Sequence, residues 1–395
     1  MKHIILDALA VENSKTGVGQ YVQELLEELL EKASKDMFFS VMLHPSLDMK
    51  HPLVKFVSRR KNAEIMWFDI PAIGLKRDIK FFLKRRKLKC DLFHCLYSNH
   101  PLFFKGTQMV TIHDLKYVLH PEFMGSKGKL KSIYLKNLMR HAAKHCEKLI
   151  TVSESTRNDL LKVFPHLPAL AERTKVVYEA ATVSMKETRG IKERFQLDKP
   201  YFLYLGELRP HKNVGRVIEA FIRFKADLCQ PDGAKYQPDG AQCQPDAGQA
   251  LTNVRLIVAG KPHKSFVMPS GAKRDDIIFT GYVKDDDAYI LYSNALAYCL
   301  PSLYEGFGLP ILEAMKCGCP VITSDFSSTA EVSGDAALLV DPLSVEAIAG
   351  AMARIYSDEA FRKELITKGY AREKEFSWAK AAEETLAIYK EILDK

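Results

Sequence analysis

No apolar run in this chain approaches the ~18 residues that a membrane-spanning helix needs. No signal peptide is expected either. The apolar run Met1–Ala10 is short, broken by Asp7 and followed by Glu12 and Asn13, so it reads as a first buried strand and a cytosolic location is expected. The eight cysteines include no pair with zinc-ligand spacing and a matching second pair, which argues against a zinc module and for reduced thiols. Gly17-Val18-Gly19 lacks the third glycine of the dinucleotide fingerprint, which speaks against a nicotinamide dehydrogenase. No aromatic-basic motif of an RNA-binding module occurs, so nucleic acid is not an expected partner.

What is present is enough for two domains: 395 residues, 47% apolar and 27% charged, a globular composition. Strand-like and helix-like stretches alternate, which points to α/β layers with parallel sheets. In the first half, His3–Leu6, Phe38–Leu43, Leu92–His94, Gln108–Ile112, Lys148–Val152 and Val176–Tyr178 read as strands. Gly17–Gln20 reads as a loop and Tyr21–Glu31 as an amphipathic helix. The plan repeats with strands at Tyr201–Leu205, Val254–Ala259, Ile277–Thr280, Ala295–Leu300, Pro320–Ser324 and Ala337–Val340. The expected division is 1–185, 190–377, and a last helix 378–395 crossing back to the first domain. Residues 229–249 carry a seven-residue repeat, CQPDGAK-YQPDGAQ-CQPDAG, too poor in apolar residues to order itself and read as a surface insertion.

Charge is uneven. Residues 1–190 carry a net +12 and residues 191–395 a net −4, which points to an anionic partner for the first half. Leu75–Lys89 is a basic stretch (Lys76, Arg77, Lys80, Lys84, Arg85, Arg86, Lys87, Lys89) with Leu75, Ile79, Phe82 and Leu83 on one helical face. Such a helix suits an anionic membrane surface; the plainer reading packs that apolar stripe on the first sheet. Lys127, Lys129, Lys131, Lys136, Arg140 and Lys144 form a second basic stretch.

The segment Pro301–Met315 concentrates chemistry. Glu305 and Glu313 stand eight positions apart, with Gly306 and Gly308 between them to let backbone approach a ligand. Pro310 suits the start of a helix whose amides, around Phe307–Ile311, can cradle a diphosphate. Glu313 could then reach a ribose diol and Glu305 the hydroxyls of a transferred sugar. Asp285-Asp286-Asp287 is read as capping a helix near Ala288 rather than as a cation site.

This segment resembles the E-x7-E signature of the retaining GT-B glycosyltransferases of family 4. The resemblance extends over nearly the whole chain outside the repeat: Val110–Leu115 with its His113-Asp114-Leu115 strand end, Leu149–Ser155, Tyr204-Leu205-Gly206 with Lys212-Asn213, and Phe279–Val283. His120-Pro121-Glu122 is similar to the branch that uses GDP-mannose. The resemblance implies a GT-B fold, two Rossmann-like domains with parallel sheets facing across a deep cleft, and no cofactor or metal, the nucleotide-sugar being a substrate. It implies catalytic roles for His113 under the donor sugar, for Arg209 and Lys212 on the diphosphate, and for Glu305 on the sugar. Donor binding would involve Gly17, Gly19, Gly206, Tyr282, Val283, Gly306, Phe307, Gly308, Leu309 and Glu313, with Gly17 and Gly19 in a closing loop. Two departures stand out. Glu207 follows Gly206 where the family places arginine, so Arg209 or His211 must supply that charge. Tyr178-Glu179-Ala180-Ala181 replaces the usual Asn-Gly-x-Asp.

The expected activity is transfer of a hexose, mannose from GDP-mannose, by front-face substitution with retention. The expected acceptor is a lipid-linked or polysaccharide glycan at the inner face of the cytoplasmic membrane. A UDP-sugar donor, a GT-B epimerase or phosphorylase, and a non-catalytic membrane-binding module are the rival readings.

Overall fold

The computed structural model describes residues 1–14, 16–84, 88–183, 190–195, 197–228, 253–272 and 274–395. The repeat 229–249 and the basic positions Arg85, Arg86 and Lys87 lie outside them. The chain forms two units: Met1–Ala180 with Phe376–Lys395, and Ala181–Glu375.

The first unit is a seven-stranded parallel sheet. Its strands are β1 (Lys2–Asp7), β2 (Met37–Leu43), β3 (Ala63–Trp67), β4 (Leu92–Cys95), β5 (Gln108–Ile112), β6 (Lys148–Thr151) and β7 (Thr174–Val176), in the order β3-β2-β1-β4-β5-β6-β7. β4, β5 and β6 are buried throughout, and β1 from Ile4 onward, because a parallel sheet is covered on both faces. β3, at the sheet edge, is only half-buried or exposed along its length, and its short apolar run Ile65–Phe68 is not among the strands expected from sequence. The order reverses between β1 and β4, and loops leaving the carboxyl ends of strands at such a reversal form binding crevices.

Helix Gly17–Lys32 follows β1 and buries Tyr21, Val22, Leu25, Leu26, Leu29 and Leu30 at helical spacing. Gly17 and Gly19 belong to its first turn, not to a loop: Thr16 caps it by accepting from the Gly19 amide at 3.1 Å. A Cβ at Gly19 would stand 2.9 Å from Thr16 Oγ1, so glycine there keeps the cap in place. The terminal helix Trp378–Leu393 packs against Gly17–Lys32 and closes the first unit.

The carboxyl ends of β1 and β4 are locked by a buried ion pair. Asp7 accepts from Arg77 Nη2 at 2.5 Å, Tyr97 Oη at 3.1 Å and the Leu9 amide at 3.2 Å, with Asp7 and Arg77 almost fully buried. This corrects two parts of the sequence reading of helix Leu75–Lys84: the place of Arg77 among the exposed basic residues, and the plainer reading that packs the apolar stripe on the sheet. Arg77, Asp78 and Phe81 are its buried residues, while Leu75, Ile79 and Leu83 are more than 60% exposed. Arg77 is therefore not available to a membrane, and the apolar stripe does not pack on the sheet. The stripe inverts because Asp7 demands a counter-charge in the interior, and Arg77 supplies it.

The second unit is a six-stranded parallel sheet. It comprises β8 (Tyr201–Leu205), β9 (Arg255–Ala259), β10 (Ile277–Gly281), β11 (Ala297–Leu300), β12 (Val321–Ser324) and β13 (Leu338–Val340), ordered β10-β9-β8-β11-β12-β13. Its reversal lies between β8 and β11. The aspartate run forms the first turn of helix Asp285–Ser293 instead of preceding it, with Lys284 at the cap position and no side-chain cap bond. Asp287 pairs instead with Arg194.

Arg77→Ala would leave Asp7 buried without its partner, which should destabilise the first unit by about 3–5 kcal/mol. Both tryptophans, Trp67 and Trp378, lie in that unit, so urea unfolding followed by tryptophan fluorescence reads it selectively.

Candidate functional site

In the second unit the loops leaving β8 and β11 meet at the strand-order reversal. The β8 loop runs from Gly206 through a short 3-10 turn, Pro210–Lys212, to Asn213 in the left-handed region at φ 59°. Asn213 tolerates that backbone better than most residues. Its Nδ2 ties the loop down by donating to Pro301 O at 2.9 Å and Pro342 O at 2.7 Å. The Leu303 amide donates to His211 O at 2.7 Å and sews the two loops together. A neighbouring constraint fixes the base of the β8 loop. Gly260 lies so close to Gly206 that a Cβ on it would fall 1.8 Å from the Gly206 carbonyl oxygen.

This backbone places Lys212 Nζ 2.8 Å from Glu305 Oε1, with both side chains largely buried. Ser302 Oγ donates to the same carboxylate oxygen at 2.8 Å, and Ser328 Oγ donates to the Glu305 carbonyl at 2.8 Å. Gly308, at φ 108°, then turns the chain into helix Leu309–Lys316, with Pro310 in its first turn and no side-chain cap. Gly306, buried Phe307, Gly308 and Leu309 thus line the entry to a helix N-terminus beside a cation–carboxylate pair. Glu313 stands one turn along the same helix, where it accepts from Thr182 Oγ1 at 3.0 Å and Tyr292 Oη at 3.4 Å.

Glu207 and the arginine expected to compensate for it form an ion pair. Glu207, standing where the family places arginine, takes Arg209 Nε at 2.7 Å. His211 is buried. Tyr282 and Val283 follow β10, with Tyr282 exposed and Lys261 Nζ 4.9 Å from its ring centroid.

In the first unit, His113 follows β5. Its Nε2 lies 3.0 Å from Leu96 O and its Nδ1 3.2 Å from Glu179 Oε1, while its ring meets Tyr21 edge-on at 4.5 Å. Burial opposes a charge on this ring, but the bond and the charge of Glu179, helped by Leu96 O and Asp114, outweigh it and hold its pKa above the usual histidine value. A raised histidine pKa stabilises the fold fully below the unfolded value. That contribution is lost as pH rises through the folded one. His94, one strand away, shows the opposite case. It bonds only the hydroxyls of Tyr389 and Thr111, at 2.6 and 3.0 Å, and burial pushes its pKa down to about 3.

The structure thus brings together Lys212, Glu305, Gly306, Phe307, Gly308 and Leu309, with Gly206 and Arg209 on the adjoining loop and Glu313 on the helix. His113, Gly17 and Gly19 belong to the first unit. Residue-by-residue reading missed two anchors, Thr182 on Glu313 and Glu179 on His113. Glu179 left one signal, as a departure from the family pattern.

A doubly wound parallel sheet in each unit, with a cation, a carboxylate and a helix N-terminus at one reversal point, fits the GT-B glycosyltransferase class. Residues 15–181 match the family described as Glycosyltransferase Family 4, and residues 185–372 match Glycosyl transferases group 1. The chain belongs to these glycosyltransferases and is an enzyme of that class. It is similar to the O-antigen chain mannosyltransferase B of Escherichia coli, 28% identical over 98% of this chain and 99% of that one. It is also similar to the O-antigen chain mannosyltransferase RfbU of Salmonella typhimurium, 26% identical over 86% and 87%. Among solved structures, the sucrose-phosphate synthase of Thermosynechococcus elongatus superposes with TM-score 0.73 at 18% identity, covering 100% of both chains. WaaG, a glycosyltransferase involved in lipopolysaccharide biosynthesis, superposes with TM-score 0.67 at 14% identity over 98% and 99%.

Asn213→Ala should cost the second unit about 2–3 kcal/mol, from two lost hydrogen bonds and a disfavoured left-handed backbone. Asn213→Gly should recover about 1 kcal/mol of this by relieving the backbone alone. Thermal unfolding of the two variants separates these contributions.

Proposed function

We propose that the chain transfers mannose from GDP-mannose to a lipid-linked or polysaccharide acceptor, with retention of anomeric configuration, in the synthesis of a cell-surface glycan. The observation that carries this is the Lys212–Glu305 pair beside the helix at Leu309. Departure of a nucleoside diphosphate builds negative charge on its terminal phosphate. Lys212 Nζ carries three N–H groups and gives one to Glu305, which leaves two for phosphate oxygens. The amides at the helix start add donors and the positive end of the helix dipole. Glu305, held by Lys212 and Ser302, keeps acceptor capacity for hydroxyls of the sugar, and Glu313 has the same capacity for the ribose.

No enzyme nucleophile is assigned, because both glutamates serve hydroxyls. The departing phosphate oxygen takes the acceptor's proton as the acceptor oxygen bonds the same face of the anomeric carbon. Mannose is favoured by the O-antigen mannosyltransferases among the relatives, and GDP-mannose as its donor by the resemblance carried by His120-Pro121-Glu122.

A GDP-mannose concentration of 100 times Kd should stabilise the protein by about 2.7 kcal/mol, while UDP- and ADP-sugars should leave it unchanged. A thermal-shift panel reads this, and stabilisation by a UDP-sugar alone would transfer the reading to that donor. Lys212→Ala should lower kcat by about 10²–10³-fold, the usual cost of one preorganised charge-stabilising group. Proton NMR of the product should show the donor's α configuration; a β product would overturn the front-face route.

The acceptor end is assigned to the membrane surface on the exposed stripe of the first unit. Leu75, Ile79, Phe82 and Leu83 stand beside Lys76, Lys80 and Lys84, and Phe103 packs edge-on to Phe82 at 5.3 Å. Helix Gly128–His145 adjoins them through Tyr134 Oη, which donates to Asp78 Oδ2 at 2.8 Å, and exposes Leu130 and Ile133 among its lysines. No helix among the described residues is long and apolar enough to cross a membrane. The protein should float with anionic liposomes at moderate salt. Serine at Leu75, Ile79 and Leu83 should abolish flotation, and flotation unaffected by these changes would refute the assignment.

A further inference from the structure

The two ring nitrogens of His113 each face an atom that can accept. Leu96 O, 3.0 Å from Nε2, has no proton to give, so Nε2 carries one. The 3.2 Å bond between Nδ1 and Glu179 Oε1 needs a second proton, shared by ring and carboxylate. Without it, two lone pairs would face each other at hydrogen-bond distance. The rest of the residue is also tied down. Its amide donates to Ser98 Oγ at 3.4 Å and its carbonyl accepts from Thr156 Oγ1 at 3.3 Å. Glu179 is 5% exposed, so water does not readily replace this partner.

We propose that Glu179 is a positioning residue that keeps His113 as an imidazolium, and that loss of their shared proton sets the alkaline limb of the transfer reaction. The second half of this statement rests on the transferase reading above. The first half stands on the first unit alone. The groups facing His113 leave Glu179 as its charged partner. Asp114, its neighbour in the chain, is paired with Lys116 at 3.4 Å. Tyr21 comes from the first helix, and burial pushes its hydroxyl far above the usual range, so it stays neutral. Ser98 and Thr156 carry no charge. Once the shared proton is lost, the ring keeps only Leu96 O and the edge of Tyr21, and its orientation is no longer fixed at both ends. The departure at Tyr178-Glu179-Ala180-Ala181 then has a physical meaning: it brings a carboxylate that charges the histidine it touches.

Glu179→Gln separates charge from orientation. A glutamine N–H can donate to a bare Nδ1, so the ring can stay in place as a neutral imidazole. Two measurements are made on the full chain. Histidine-labelled NMR should show wild-type His113 titrating above the ordinary ~6.5 and the Gln variant below it, where burial prevails. Glu179→Asp should restore the higher value. In donor-saturated transfer assays, the alkaline limb should coincide with the His113 midpoint in wild type. It should fall by at least about one pH unit in Glu179→Gln and return in Glu179→Asp, with donor KM within about twofold throughout. Identical His113 titrations in wild type and Glu179→Gln would overturn the first half. A shifted titration with an unmoved limb would overturn the second. Failure of wild type to transfer from any donor would instead defeat the transferase reading, and the NMR result would still decide the role of Glu179.

Discussion

The candidate site depends on one ion pair, Lys212 to Glu305, held at a point where the sheet order reverses. Neither residue is placed by its own preferences. Lys212 is delivered by a loop that Asn213 clamps to Pro301 and Pro342, and Glu305 by a loop whose carbonyls are bonded from Ser324 and Ser328. A cation and an anion so placed neutralise each other's burial cost, and under the proposed function they would receive a ligand that carries phosphate at one end and hydroxyls at the other. The helix start at Leu309 supplies the remaining donors. The glycines and proline serve to bring backbone amides to the same spot.

The first unit uses the same principle with different parts. Asp7 and Arg77 lock the reversal between β1 and β4, while His113 and Glu179 hold the end of β5. His94 on β4 and His113 just after β5 have pKa values shifted in opposite directions, because one faces hydroxyls and the other faces a carbonyl and a carboxylate. Partner chemistry, rather than depth, decides the charge.

Much of this was legible in the sequence. Buried parallel strands announce themselves as apolar runs, so the central strands of both sheets and the strand-to-loop position of His113 could be read directly. The Glu305–Glu313 segment was legible because glycine and proline punctuate it at fixed spacing. The misplaced Arg77 and the missed Glu179 share a cause: they depend on contacts distant in sequence. Amphipathic periodicity says that helix Leu75–Lys84 has two faces but not which is inward, and Asp7, seventy residues earlier, turns Arg77 to the interior. Gly17 and Gly19 looked like a loop because glycine weakens helix interiors, yet a first turn capped by Thr16 accommodates them. Glu179 could be noticed only as an anomaly, since its partner stands 66 residues away.

The most direct test of the Lys212–Glu305 site is a crystal structure with intact GDP-mannose bound. The account requires phosphate oxygens within about 3 Å of Lys212 Nζ and of amides at the start of the Leu309 helix, with sugar hydroxyls on Glu305. A donor bound elsewhere, with Lys212 and Glu305 still engaged only with each other, would contradict it.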